Sequence, residues 1–292
     1  MTTTASAETA ARHACRQTGL PANSLTPLHD HATSVFLLPA EHLVVRVSRA
    51  DQLPRLETAI ALTRWLTDQD YPATQPADLP QPVICGLHAV TFWHHYPQPI
   101  TVPTPPTSHL GTLLRRLHTL PHPPLALPEY QPLTSLTRLL ETSHTLDPDR
   151  HDWLRGRVQE ALDAYSALDF PLGHGLIHGD AYPGNTLWDG TNVRLGDWDE
   201  AATGPRELDL ANTFQGVRFG RTGDELDTFS DHYGYDIRHW PGLTILRQIR
   251  DLHTLSSYIR RADRGDKQAE DQLAHRITTL QRRDDSARWV AA

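Results

Sequence analysis

Between Gly175 and Asp199 the chain gathers the residue types that reactive sites use. His178-Gly179-Asp180 is followed by Asn185 five positions after Asp180, and by Asp197 twelve positions after Asn185. Short apolar pieces (Leu176-Ile177, Thr186-Leu187-Trp188, Val193-Arg194-Leu195) flank polar turns, with Pro183 and Gly184 shaping the first. The Asp and Asn side chains therefore emerge at strand ends and loops, where reactive groups are usually displayed. Phosphoryl transfer asks for such a set: a carboxylate to orient and deprotonate a hydroxyl, oxygen ligands for magnesium, and cations for the donor phosphates. Hard oxygen ligands suit magnesium, which binds through a few side chains and the nucleotide phosphates.

A protein-kinase catalytic loop places a metal-binding Asn five residues after its base Asp, with a second metal-binding Asp beyond. Asp180, Asn185 and Asp197 keep that order and spacing. His178, two before Asp180, is assigned to packing and to hydrogen bonds that fix the loop. A protein acceptor is disfavoured, because no long Ser/Thr-bearing segment and no Ala-Pro-Glu motif follow Asp197-Trp198-Asp199.

On these residues, and on Gly204-Pro205-Arg206-Glu207-Leu208-Asp209-Leu210-Ala211, the chain resembles the aminoglycoside phosphotransferase family, which includes choline kinase-like small-molecule kinases. The likeness extends more weakly to Leu114-Arg115-Arg116-Leu117-His118 and Val44-Val45-Arg46-Val47. It implies an α+β, two-lobed protein-kinase-like fold with a small, mainly antiparallel β amino lobe and a larger, mainly α-helical carboxy lobe. It also implies Asp180 as catalytic base, Asn185 and Asp197 as ligands of Mg2+, and ATP or GTP as donor. Asp209 resembles a structural carboxylate that ties down the loop. Asp199 is either a metal or acceptor contact or a hydrogen-bonded loop acid.

The elements that must position these groups can be placed by periodicity. Val35–Leu38 and Leu43–Val47 read as a hairpin, and Val83–Cys85 and Ala89–Trp93 as two more strands. Leu53, Leu56, Ile60 and Leu66 mark a helix between them. Five prolines between Pro97 and Pro106 exclude helix interior and central strand, which sets the domains at 1–97 and 98–292. Beyond them, helical stripes run over Leu110–Leu120 with Ser108 as N-cap, Trp153–Tyr165, Ile245–Ile259 and Leu273–Leu280.

The amino lobe departs from the kinase pattern. No glycine occurs between Gly19 and Gly86, so the phosphate-covering turn falls on His29–Ser34. There Thr33 and Ser34 either cradle phosphate or belong to an ordinary polar turn. The cation expected on the second strand is Arg46 where lysine is usual, and its fork changes the contact geometry. Glu57 is either its ion-pair partner or a surface carboxylate. The purine base is expected beside the connection after Trp93, against the backbone of His94 to Tyr96.

Composition bounds the partners. The net charge is −8, which disfavours nucleic acid as partner. Residues 197–236 hold ten carboxylates against three arginines, a local charge of −7, either as a solvated face or as a site for a cationic acceptor. Two cysteines give neither a disulfide framework nor a metal pair, and the 18 histidines form no zinc signature. No apolar run is long enough to span a bilayer, and Met1–Glu8 lacks signal-peptide character, so no membrane partner and a cytoplasmic location are expected. The favoured acceptor is an antibiotic sugar, with phosphorylation conferring resistance. The alternatives are a metabolic kinase for an amino alcohol, sugar or nucleoside, and a catalytically silent pseudokinase that binds a ligand or partner.

Overall fold

A computed structural model describes residues 2–30 and 34–290. In chain order its elements are α1 (Thr2–Gln17), β1 (Thr26–Asp30), β2 (Ser34–Leu38), β3 (Leu43–Arg49), α2 (Leu53–Asp68), β4 (Val83–Cys85) and β5 (His88–His94). There follow α3 (Thr107–Leu117), α4 (Thr134–Thr142), α5 (Pro148–Ser166), β6 (His174–Ile177), β7 (Thr186–Asp189), β8 (Asn192–Leu195) and β9 (Ala202–Pro205). Last come α6 (Glu207–Gln215), α7 (Gly223–Tyr233), α8 (Leu243–Ala262) and α9 (Lys267–Gln281). The fold is α+β. None of these helices is long and apolar enough to cross a membrane.

The chain forms two compact units. The first is Met1–Pro106 with Thr119–Leu127 and Pro183–Ala201; the second is Thr107–His118, Pro128–Tyr182 and Ala202–Ala292. In the first, an antiparallel sheet runs β1-β2-β3-β5-β4. Alternation along β3 turns Leu43, Val45 and Val47 to one face, where they pack with Phe36, Val90 and Phe92 beneath an alanine stripe of α1 (Ala7, Ala10, Ala11, Ala14). Arg46 therefore points from the opposite face, between Val35 and Thr91 on the neighbouring strands. Helix α1 was not foreseen, because its buried stripe is built of alanine and carries little hydrophobic signal. The Pro183–Ala201 segment brings the β7–β8 hairpin into this unit.

The second unit is mainly helical. Helix α3 starts at Thr107, one residue before the expected cap, so Ser108 lies inside its first turn; the Thr107 hydroxyl donates to the Glu225 carbonyl on α7 (2.7 Å). A reciprocal Thr222–Glu225 capping box starts α7, and Gly234 at φ 88° ends it. Beyond α9 the chain folds back so that Trp289 is buried, its peptide N–H donating to the Arg218 carbonyl (2.7 Å). The guanidiniums of Arg276 and Arg218 lie 4.7 and 4.8 Å from its ring centre. Trp289→Ala should therefore lower the stability of the full chain by about 3–5 kcal/mol, measured by urea denaturation. A loss within error would show that this docking is not part of the core.

Candidate active site

In the second unit β6 pairs antiparallel with β9, Ile177 opposite Ala202, and the chain leaves β6 directly into His178-Gly179-Asp180. Asp209, in the first turn of α6 and fully buried, grips this exit. Its Oδ2 accepts the His178 N–H and its Oδ1 the Gly179 N–H, both at 2.8 Å. Gly179 sits at φ 82°, a conformation open to glycine at no steric cost, and so turns its N–H into the same carboxylate. The Asp180 N–H donates to Nδ1 of the buried His178 ring (3.3 Å). The third grip on Asp209 is His118 Nε2 (3.1 Å), whose Nδ1 meets the Tyr233 hydroxyl at 2.8 Å. Burial works to raise the Asp209 pKa, but the His118 hydrogen bond, the nearby imidazoles and the His178 N–H hold it below the usual carboxylate value.

The Asp180 carboxylate has a partner the sequence reading missed. Arg250, midway along α8, donates from Nη2 to Asp180 Oδ1 at 2.6 Å. The arginine side chain is 9% exposed and the aspartate 31%. The buried face of α8 also carries Asp251 and Ser256, so nothing in the helix pattern singled Arg250 out.

In the first unit the β7–β8 register, Thr186 opposite Leu195, puts Asn185 and Gly196-Asp197 at one end of the hairpin. The Gly196 N–H donates to the Asn185 carbonyl at 2.8 Å and locks that end. Asp197 itself is left-handed (φ 62°), unusual for a residue with a side chain. The next residue anchors it: Trp198 is buried, its Nε1 donates to the Leu195 carbonyl (2.9 Å), and its ring meets Tyr71 edge-on at 5.9 Å. Arg46 reaches across to this turn. Its Nη2 lies 3.1 Å from Asp197 Oδ1 and 2.8 Å from Asp199 Oδ2. Burial opposes its charge, yet the Asp199 and Asp197 carboxylates raise the Arg46 pKa above the ordinary arginine value. Burial in turn lifts the Asp199 carboxyl above its usual range, against the pull of Arg46.

The expected Arg46–Glu57 pair does not form. Arg46 pairs with Asp197 and Asp199 instead, and Glu57 is an exposed residue of α2. The N–H groups of His94 and His95 already donate to the Gln75 and His42 carbonyls, at 2.9 and 2.8 Å. A base edge would therefore not find its donors at those two positions. The Tyr96 hydroxyl accepts from the Gln75 N–H (3.2 Å) and its ring lies under the Arg194 guanidinium. Ser34 opens β2, whereas Thr33 lies outside the described residues.

A divalent cation of the magnesium type fits the donors here in chemical kind: Asn185 and Asp197 offer hard oxygens at one hairpin end, and the Asp197 side chain is 49% exposed. Among the described residues no group of three or more His, Cys, Asp or Glu is placed to hold a metal, so nucleotide phosphates would have to complete the shell. Elsewhere in the second unit, Asp227, Asp231 and Asp236 line a cavity of about 550 Å³ with Ser230, Tyr235 and Arg238. Arg238 pairs with Asp227 and Asp236, leaving the carboxylates in excess. The buried Ser230 hydroxyl has no hydrogen-bond partner among the described residues.

The Asp209 clamp is open to direct test. Asp209→Ala strands two peptide N–H groups and His118, and should lower stability by about 3–5 kcal/mol. Because the folded pKa lies below the unfolded value of about 3.9, the Asp209 contribution is complete above that pH and is lost as pH falls through the folded value. Asp209→Asn should therefore flatten the acid limb of stability against pH below about pH 4. An unchanged limb would assign it to other carboxylates.

Comparison with known proteins places this geometry. Residues 24–246 match the profile of the phosphotransferase enzyme family. None of the functionally curated proteins matches the chain in sequence. Among solved structures, the amicoumacin kinase hAmiN, in complex with AMP-PNP, Ca2+ and Ami, superposes with a TM-score of 0.71 at 14% identity, over 91% of this chain and 90% of that one. Choline kinase LicA from Streptococcus pneumoniae gives 0.63 at 13% identity over 88% and 93%. Aminoglycoside phosphotransferase APH(3'')-Id from Streptomyces rimosus, with ADP and streptomycin, gives 0.57 at 17% over 78% and 92%. These likenesses establish the protein-kinase-like fold expected from the sequence. The chain belongs to the phosphotransferase enzyme family and is a phosphotransferase.

Proposed function

We propose that the chain transfers the γ-phosphoryl group of ATP or GTP, with Mg2+, to a hydroxyl of a cationic, aminoglycoside-like antibiotic. Asp180 is the base that takes the hydroxyl proton. Asn185 and Asp197 hold the metal, which would neutralise charge on the donor phosphates. Arg46 takes the place of the phosphate-binding lysine, with Thr33 and Ser34 beside the phosphates. The purine lies beside the connection that follows Trp93. The observation that carries the reading is the held loop: a partly exposed Asp180 carboxylate on a backbone gripped by the buried Asp209. A base must be held in place to remove a proton within hydrogen-bond reach, and a loop fixed in this way supports that role for Asp180.

The cationic acceptor is supported by the cavity lined by Asp227, Asp231 and Asp236, where carboxylates outnumber the single arginine. Structural neighbours were solved with streptomycin and, in another case, kanamycin with GDP. A metabolic amino alcohol is the second reading, favoured by the choline kinase neighbours. A nucleotide-turnover screen against aminoglycosides, other antibiotics and amino alcohols separates the two, with mass spectrometry reading the added phosphoryl group. Turnover with choline-type alcohols alone would overturn the antibiotic reading. No turnover with any acceptor would instead leave the silent pseudokinase.

With the acceptor so found, Asp180→Asn should lower kcat by about 10²–10⁴-fold. Full activity in that variant would remove Asp180 from the chemistry. Asp197→Ala should abolish turnover with little change in melting temperature, since its side chain is half exposed. Arg46→Ala should chiefly raise the nucleotide KM, and an unchanged KM would give the phosphate contact to another cation.

A further inference from the structure

Position 250 lies four residues after Leu246 and seven after Leu243, on the buried face of α8. Packing alone would select leucine or methionine there. The arginine instead places a permanent charge at 9% exposure and leaves its buried Nε without a hydrogen-bond partner among the described residues. An orphaned buried donor is unfavourable, and a charge buried for a single ion pair is weak evidence for stability, so stability alone does not account for Arg250.

Its setting points to precision. The next residue, Asp251, is buried and accepts from Gln215 Nε2 (2.9 Å) and from Arg218 Nη2 (3.0 Å). Gln215 ends α6, the helix whose first turn carries Asp209. Thus α6 grips the peptide of the His178–Asp180 loop, α8 grips its carboxylate, and the Gln215–Asp251–Arg218 cluster ties the two helices together. We propose that Arg250 is a positioning residue for phosphoryl transfer, its buried guanidinium holding the Asp180 carboxylate aimed at the acceptor hydroxyl. This rests on the reading of Asp180 as base. In the step it serves, the hydroxyl oxygen bonds to the γ-phosphorus as the bond from that phosphorus to the bridging oxygen breaks. The hydroxyl proton passes to Asp180, the bond's electrons leave with the nucleoside diphosphate, and Arg250 keeps its protons throughout.

The test uses the full chain with Mg-ATP and Mg-GTP, reading phosphate release to water and turnover of the best acceptor from the screen. Arg250→Met should lower kcat by up to about 100-fold, as misplacement of a catalytic group does, with the nucleotide KM unchanged. Arg250→Lys, which keeps the charge without the fork, should recover most of that loss. In an Asp180→Asn background Arg250→Met should add nothing, because it acts only through that carboxylate. Wild-type kcat in Arg250→Met, or a full further loss in the Asp180→Asn background, would overturn the proposal. If Arg250→Met does not fold, Arg250→Lys combined with Asp180→Asn decides in the same way. If Asp180→Asn itself keeps full turnover, or the wild-type chain turns over neither nucleotide, the reading of Asp180 falls and this inference with it.

Discussion

The buried carboxylate of Asp209 is the constraint on which the second unit's chemistry hangs. Removing a carboxylate from water costs several kcal/mol unless good partners replace the solvent. Here the replacements are two peptide N–H groups, His118, and a place in the first turn of α6, where the helix dipole favours negative charge. All three sources of relief are directional. They fix the exit from β6, require the positive φ of Gly179, and leave Asp180 on a backbone with little freedom. An ionised Asp209 needs the hydrogen on His118 Nε2, which leaves Nδ1 to meet the Tyr233 hydroxyl. Through that relay the loop is also tied to α3 and α7.

The first unit solves a different problem, that of holding acids close together before any ligand arrives. Asp197 and Asp199 both face the Arg46 fork, and two carboxylates around one guanidinium leave negative charge in excess. Such a turn is stable while Arg46 stays, and it still favours an incoming cation. The left-handed Asp197 is kept in place by Trp198 and Tyr71 rather than by its own side chain. That separation matters, because a carboxylate whose backbone is held by its neighbours can exchange partners without reshaping the turn.

What the sequence disclosed and what it hid divide along the same line. The turns that carry Asp180, Asn185 and Asp197 were legible because a short stretch with Pro183, Gly184 and Gly196 encodes them. The hairpin of β2 and β3 was legible by alternation. Helix α1 was not, since alanines at helical spacing bury little area per residue. The Arg46 partner was misplaced because spacing within the strand–helix unit offers Glu57, whereas the acids that take the pair lie about 150 residues further on. Arg250 was invisible for the same reason. Its meaning depends on a loop 70 residues earlier, and no local pattern joins the two.

The chain's arginine bias acquires a physical sense at these places. The single lysine, Lys267, is exposed on α9 and pairs with Glu270. The cations that meet Asp180, Asp197 and Asp199 are both guanidiniums. Arginine keeps its charge there and offers donors in a rigid plane. At position 46 the same plane lets one nitrogen meet carboxylates on two residues, which a point charge would do without fixed direction. Replacing lysine by arginine thus exchanges a mobile charge for an oriented one, and the turn around Asp197 is built to meet that orientation.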